Sequence, residues 1–187
     1  MRQIFPMMKQ NTTMFLIAVV MILAAALSRI AFYPLNFSPV IAMALFGGAV
    51  IKDKKLAFAL PLLAMFLSDV IFEFTNIATG FWGWGQLIGY GIFALITIFG
   101  FNLKKISVQN VTGFAIASSL IFFFISNTSV WIFDNTTYAQ NFSGWINCLA
   151  AGIPFLKNGL AADLIYSALF FGGYVLLEKF AFKKAIA

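Results

Sequence analysis

The chain has 187 residues, of which 62% are hydrophobic and 10% charged, and it contains no histidine. Soluble domains are nearer half apolar and a quarter charged, so this composition, with a mean hydropathy of +0.96, excludes an ordinary soluble domain and reads as an integral membrane protein. The net charge of +6 needs no nucleic-acid partner, because ten of the twelve Lys and Arg residues sit beside the ends of apolar runs.

Taken in chain order, six spans are expected within one all-α transmembrane domain covering 1–187, each near the length a bilayer core requires. They are 14–33, 39–51, 56–74, 86–101, 111–133 and 160–177. The first is preceded by Arg2 and Lys9. Residues 1–28 also have the build of a signal peptide, with a basic start, an apolar middle and a small-residue AAALS, but the apolar run continues to Tyr33, which favours a span. The second run is short, so local membrane thinning or help from Asn36 to Ser38 is expected. KDKK (52–55) separates it from the third, and NLKK (102–105) follows the fourth.

Between the fifth and sixth spans, WINCLAAGIPFLKN (145–158) is apolar but too short to cross, and Gly152 and Pro154 interrupt it. A re-entrant or interfacial segment is expected there. The sixth span leads to Lys179, Lys183 and Lys184. With both termini cytoplasmic, every lysine cluster falls on the inner side, as the positive-inside rule requires. Only Lys157 then lies in an outer connection.

On this topology the polar residues gather at one depth. Arg29 lies toward the outer end of span one, and Asp69 and Glu73 at that of span three. Ser126, Asn127 and Ser129 lie toward the outer end of span five, while Asn158 and Asp163 open span six. Trp82, Trp84, Trp131 and Trp145 share the level. Intramembrane ionisable groups are costly and face a partner or a wet cavity, so an outward-facing pocket is expected. Asp69 and Glu73, four residues apart, share a helix face, and GFWGWG (80–85) suits a lid.

Plainer roles stand beside these. Asp69 could simply pair with Arg29 to tie helices together, Glu73 could be solvated among headgroups, and the tryptophans could form an interfacial belt. Cys148 is expected to be an inert small residue, not a ligand, and an intramolecular disulfide, a zinc site and a Ser-His-Asp triad are excluded by one cysteine and no histidine. Small residues recur at helical spacing (Ala44 and Gly48, Gly85 and Gly89, Gly113 and Ala117, Ala168 and Gly172), which permits close helix packing or a docking face.

The runs NFSPVIAMALFGGA (36–49), LPLLAMFLSD (60–69), SNTSVW (126–131) and IPFLKNGLAADL (153–164) resemble those of an uncharacterised bacterial inner-membrane family. That family is similar in size, helix number and topology to the substrate-binding S subunits of energy-coupling factor (ECF) vitamin transporters. The resemblance implies a six-helix bundle that binds a vitamin or precursor near the outer face. It also implies partnership with a membrane coupling subunit and two cytoplasmic ATPases. The Ala-x-x-x-Ala coupling surface of such subunits has its nearest match at Ala24 to Ser28, toward the outer end, a departure from the pattern. No Walker A motif is present, so the chain itself is not expected to hydrolyse ATP.

The expectation is therefore a non-enzymatic transport protein of the inner membrane that captures a small organic solute and carries no cofactor or metal. Its expected binding residues are Arg29, Asp69, Glu73, Trp82, Trp84, Asn127, Trp131, Asn158 and Asp163. The rival readings are a structural subunit of a membrane complex and, less favoured, an enzyme using Asp69, Glu73 and Asp163 as acid and base.

Overall fold

The computed structural model describes residues 12–31, 37–81, 83–134 and 136–186. It is built of helices α1 (Thr12–Ala31), α2 (Val40–Val50), α3 (Lys54–Thr75), α4 (Trp84–Gly100), α5 (Val108–Phe133) and α6 (Phe142–Ile186). Four of these, within α1, α3, α5 and α6, are long and apolar enough to cross a membrane. Exposed large side chains such as Leu27, Leu67 and Leu169 lie on their outer surfaces, as expected for helices whose solvent is lipid.

The short helix occupies the middle. In α2 nearly every side chain is buried, and Ala42 to Phe46 are fully enclosed. A helix that is apolar all round belongs in a core. It packs against all five others, most heavily against α4. A helix enclosed in this way faces little lipid, so its 11 residues do not have to match the bilayer thickness. Asn36, expected to lengthen it, lies outside the described residues.

Small residues make the central packing possible. A Cβ added at Gly48 would overlap the Thr97 carbonyl of α4, and one added at Gly100 would run into the Leu45 carbonyl of α2. Around this crossing Phe46 stacks on Phe170 at a centroid distance of 5.1 Å and meets Phe171 and Tyr174 edge-on. The ring cluster fastens α6 to the centre of the bundle. In contrast, Gly113 and Gly172 meet nothing within 4 Å, so those two small-residue pairs are not consumed by internal contacts.

Helix ends follow local chemistry. Asp53 caps α3, its carboxylate accepting from the Lys55 and Leu56 backbone N–H groups at 2.8 and 3.1 Å. Asp53→Ala is expected to cost about 1 kcal/mol, read as a lower melting temperature of the detergent-extracted protein, and no change would mean the cap is dispensable. Asn76 ends α3 in the left-handed region at φ 55°, and Gly83 opens α4 at φ 78°. These are the residue types that reach such angles at low cost.

The sixth helix corrects one expectation. Residues 145–158 are not a separate segment but the first part of α6, which runs unbroken for 45 residues with Pro154 inside it. Gly152 is not a break either. It stands where α6 meets the Asn127 side chain, with no room for a Cβ. Asp163 therefore lies near the middle of α6, not in its first turn.

Candidate functional site

Two polar clusters form between the helices, and they differ in character. The first is closed on itself. Asp69 is 1% exposed. Its Oδ1 accepts from Arg29 Nη1 at 2.5 Å, and its Oδ2 accepts from Gln86 Nε2 at 2.9 Å and from the Tyr90 hydroxyl at 2.7 Å. Arg29 also donates to Ser68 Oγ at 2.6 Å and lies over the Phe72 ring at 4.9 Å. A buried carboxylate holds its charge when a cation and further donors surround it, and here α1 and α4 supply them to α3.

The same cluster positions the α3–α4 loop. Gln86 Nε2 donates to the Gly80 carbonyl at 3.0 Å. Gly80 lies so close to the Asp69 carbonyl and the Glu73 N–H that a Cβ has no room. Glu73 is exposed and accepts from the Phe81 N–H at 3.2 Å. Asp69 and Glu73 thus do share a face, and what that face receives is their own loop.

The second cluster borders a partly open cavity of about 1360 Å³ lined by residues of all six helices and of the connecting loops. Small-molecule pockets usually measure roughly 300–1,000 Å³, so this one accommodates a sizeable ligand. Its walls are chiefly apolar, with Ile92, Phe93, Phe122 and Phe155 among them. Arg29, Ser119, Asn127 and Asp163 interrupt the apolar lining, and Thr79 and Trp84 reach it from the loop and the start of α4.

Asp163 is 2% exposed, and the Ser119 hydroxyl donates to its Oδ2 at 2.5 Å. Asn127 donates from Nδ2 to the Phe123 carbonyl at 2.8 Å, while its backbone carbonyl accepts from the Cys148 thiol at 3.3 Å. Cys148 is a buried free thiol used in helix packing. At the end of α5, Asp134 accepts from the hydroxyls of Thr136 and Thr137 at 2.6 and 2.7 Å. Those bonds, Thr136 first, lower its pKa to about 2, so it remains a carboxylate at the cavity's rim.

Of the nine residues expected to bind, Arg29, Trp84, Asn127 and Asp163 line this cavity. Asp69 stands behind Arg29, Glu73 faces outward, and Asn158 is exposed on α6. Trp131 ties α5 to the following turn, its indole N–H donating to the Ala139 carbonyl at 3.0 Å. Trp82 lies outside the described residues. Gln86, Tyr90 and Ser119 were not anticipated. The signals for them were a lone amide with a tyrosine four residues on, and a Ser–Ser pair inside an apolar run. Among the described residues, no group of three or more His, Cys, Asp or Glu side chains could hold a metal ion.

Fold and cavity together define an all-α protein with membrane-length apolar helices and a partly open, largely apolar pocket between them. The chain belongs to the family described as a family of unknown function, DUF6580, whose model matches residues 9–185. No curated protein and no solved structure matches it.

Proposed function

We propose that the chain is a multi-pass protein of the bacterial inner membrane that captures a small organic solute, a vitamin or precursor, for uptake. The observation that carries this reading is the 1360 Å³ cavity, in which an apolar lining is punctuated by Arg29, Asn127 and Asp163. That is the composition of a pocket that takes up an amphipathic molecule and orients it by a few polar contacts. The charge pattern supports a cytoplasmic location for both termini, with the cavity toward the outer side.

The resemblance to ECF S subunits supports the same role through size, six helices and expected topology, with a membrane coupling subunit and cytoplasmic ATPases as partners. Binding rather than catalysis is proposed: the Ser119 hydroxyl meets Asp163, but it also bonds back to the Ala115 carbonyl one turn earlier, and among the described residues Asp163 has no third group that orients it as a base. The Asp69 carboxylate is fully engaged by Arg29, Gln86 and Tyr90. Asp69 thereby acts as a support for Arg29 and for the loop, not as a ligand contact.

The test fills the cavity. Leu160 lines it from α6, and Leu160→Trp adds bulk without adding charge. Mass spectrometry of small molecules retained by the detergent-extracted wild type is expected to find one compound that Leu160→Trp retains at a tenth or less. A wild type that carries no small molecule, and whose melting temperature rises only with a co-purified membrane protein, would replace solute capture by the structural-subunit reading.

A further inference from the structure

The solute-capture reading leaves the chemical class of the solute open, and one group on the cavity wall narrows it. Asp163 sits in mid-helix, 2% exposed, and lines the cavity. Among the described residues its protein partner is a single hydroxyl, Ser119. That hydroxyl has one proton and two acceptors in reach, Asp163 Oδ2 at 2.5 Å and the Ala115 carbonyl at 3.0 Å. Asp163 makes no ion pair among the described residues.

Compare the other buried carboxylate. Asp69 has a guanidinium, an amide and a phenol, while Asp163 shares one hydroxyl proton with a backbone carbonyl. A carboxylate held in a bundle interior is costly unless a cation or several donors compensate it. The cavity offers no such cation. Among the described residues Arg29 is its one cationic lining residue, and that charge is already offset by Asp69. The rim adds a second carboxylate, Asp134. With Arg29 offset, the remaining ionisable groups of the described lining are the carboxyl groups of Asp163 and Asp134, and a cationic guest is what would stabilise Asp163 as a carboxylate.

Resting on the solute-capture reading, we infer that the solute carries a protonated nitrogen, and that this nitrogen donates to Asp163 while an aromatic or aliphatic body fills the phenylalanine-lined remainder. The guest's cation completes the coordination that the protein leaves unfinished. Phe93, Phe122 and Phe123 border the same cavity and offer ring faces to a cation or to a flat ring. Asp163 is a specificity-determining residue in this arrangement, and Ser119 a positioning residue that fixes its carboxylate.

The experiment uses three compounds that share an indole ring and differ in charge: tryptamine, tryptophol and indole-3-acetate. Each is titrated calorimetrically into the detergent-extracted full chain freed of retained small molecules. Wild type is expected to bind tryptamine about tenfold or more tightly than the other two, the gain typical of a hydrogen bond to a charged group. Asp163→Asn keeps the volume and can keep the Ser119 contact, and is expected to erase that preference. Ser119→Ala retains the charge but releases the carboxylate from its one hydroxyl, and is expected to weaken tryptamine binding while leaving tryptamine the tightest of the three, which separates loss of position from loss of charge. Equal affinity for the three compounds, or an Asp163→Asn variant that still prefers tryptamine, overturns the assignment of Asp163 and leaves solute capture standing. Failure of all three to bind overturns it too, and the Leu160→Trp comparison then decides independently whether the cavity holds any solute.

Discussion

Arg29→Met alone is expected to destabilise the detergent-extracted protein by about 3–5 kcal/mol, the usual consequence of leaving one member of a buried ion pair uncompensated. After the change Asp69 still has Gln86 and Tyr90 as donors, but no positive charge. The α3 end of the bundle also loses its tie to α1, and the Phe72 ring loses the guanidinium above it. The double variant Arg29→Met with Asp69→Leu removes both charges at once. It is expected to recover most of the loss, because well-packed apolar groups often replace a buried pair at little net cost. Thermal unfolding of the three proteins decides the matter. A single variant that melts with the wild type would show that the pair does not hold α1 to α3, and Asp69 would return to consideration as a ligand contact.

The second large effect is steric. Gly48→Ala places a methyl group into the Thr97 carbonyl, and backbone atoms, unlike a flexible side-chain tip, cannot turn aside. Helices α2 and α4 must then move apart at the crossing on which the centre depends. Overpacking of this kind costs about 1–3 kcal/mol, and here the upper end is expected. Gly172→Ala supplies the control, since its new Cβ meets nothing within 4 Å. That change is expected to stabilise α6 by about 0.5–1 kcal/mol through helix propensity and a less free unfolded chain. Equal melting temperatures for the two variants would remove the α2–α4 contact as the reason for a glycine at position 48.

These two sites also show what was legible beforehand. The six helices were, since long apolar runs punctuated by KDKK and NLKK leave few alternatives in a chain this hydrophobic. The pairing of Arg29 with Asp69 was visible as one of two open roles. A sequence shows that two charges share a depth but not which faces they occupy, so the choice between pair and pocket wall needed the helix rotations. Gln86 and Tyr90 escaped notice because an uncharged polar side chain in a span is inexpensive enough to be unremarkable.

The continuity of α6 was not legible for a different reason. Gly152 and Pro154 are read as helix breakers in water, where a freed carbonyl and an absent side chain both cost stability. Between apolar helices the accounting changes. The glycine makes room for Asn127, and a proline inside a membrane helix is tolerated because neighbouring groups satisfy the freed backbone. With α6 running from Phe142, Asp163 stands in mid-helix, opposite Ser119 of α5.

The length of α6 has a mechanical consequence. At 1.5 Å per residue, 45 residues make a rod of about 68 Å, more than twice the roughly 30 Å of a hydrocarbon core. Asp163 and Lys179 lie on this one rod, 16 residues and about 24 Å apart. If it swings stiffly by about 10° with its pivot at Asp163, Lys179 is carried sideways by about 4 Å. Any tilt of α6 about Asp163 is thus passed on to the lysine-bearing end, with no loop between the two residues to absorb it.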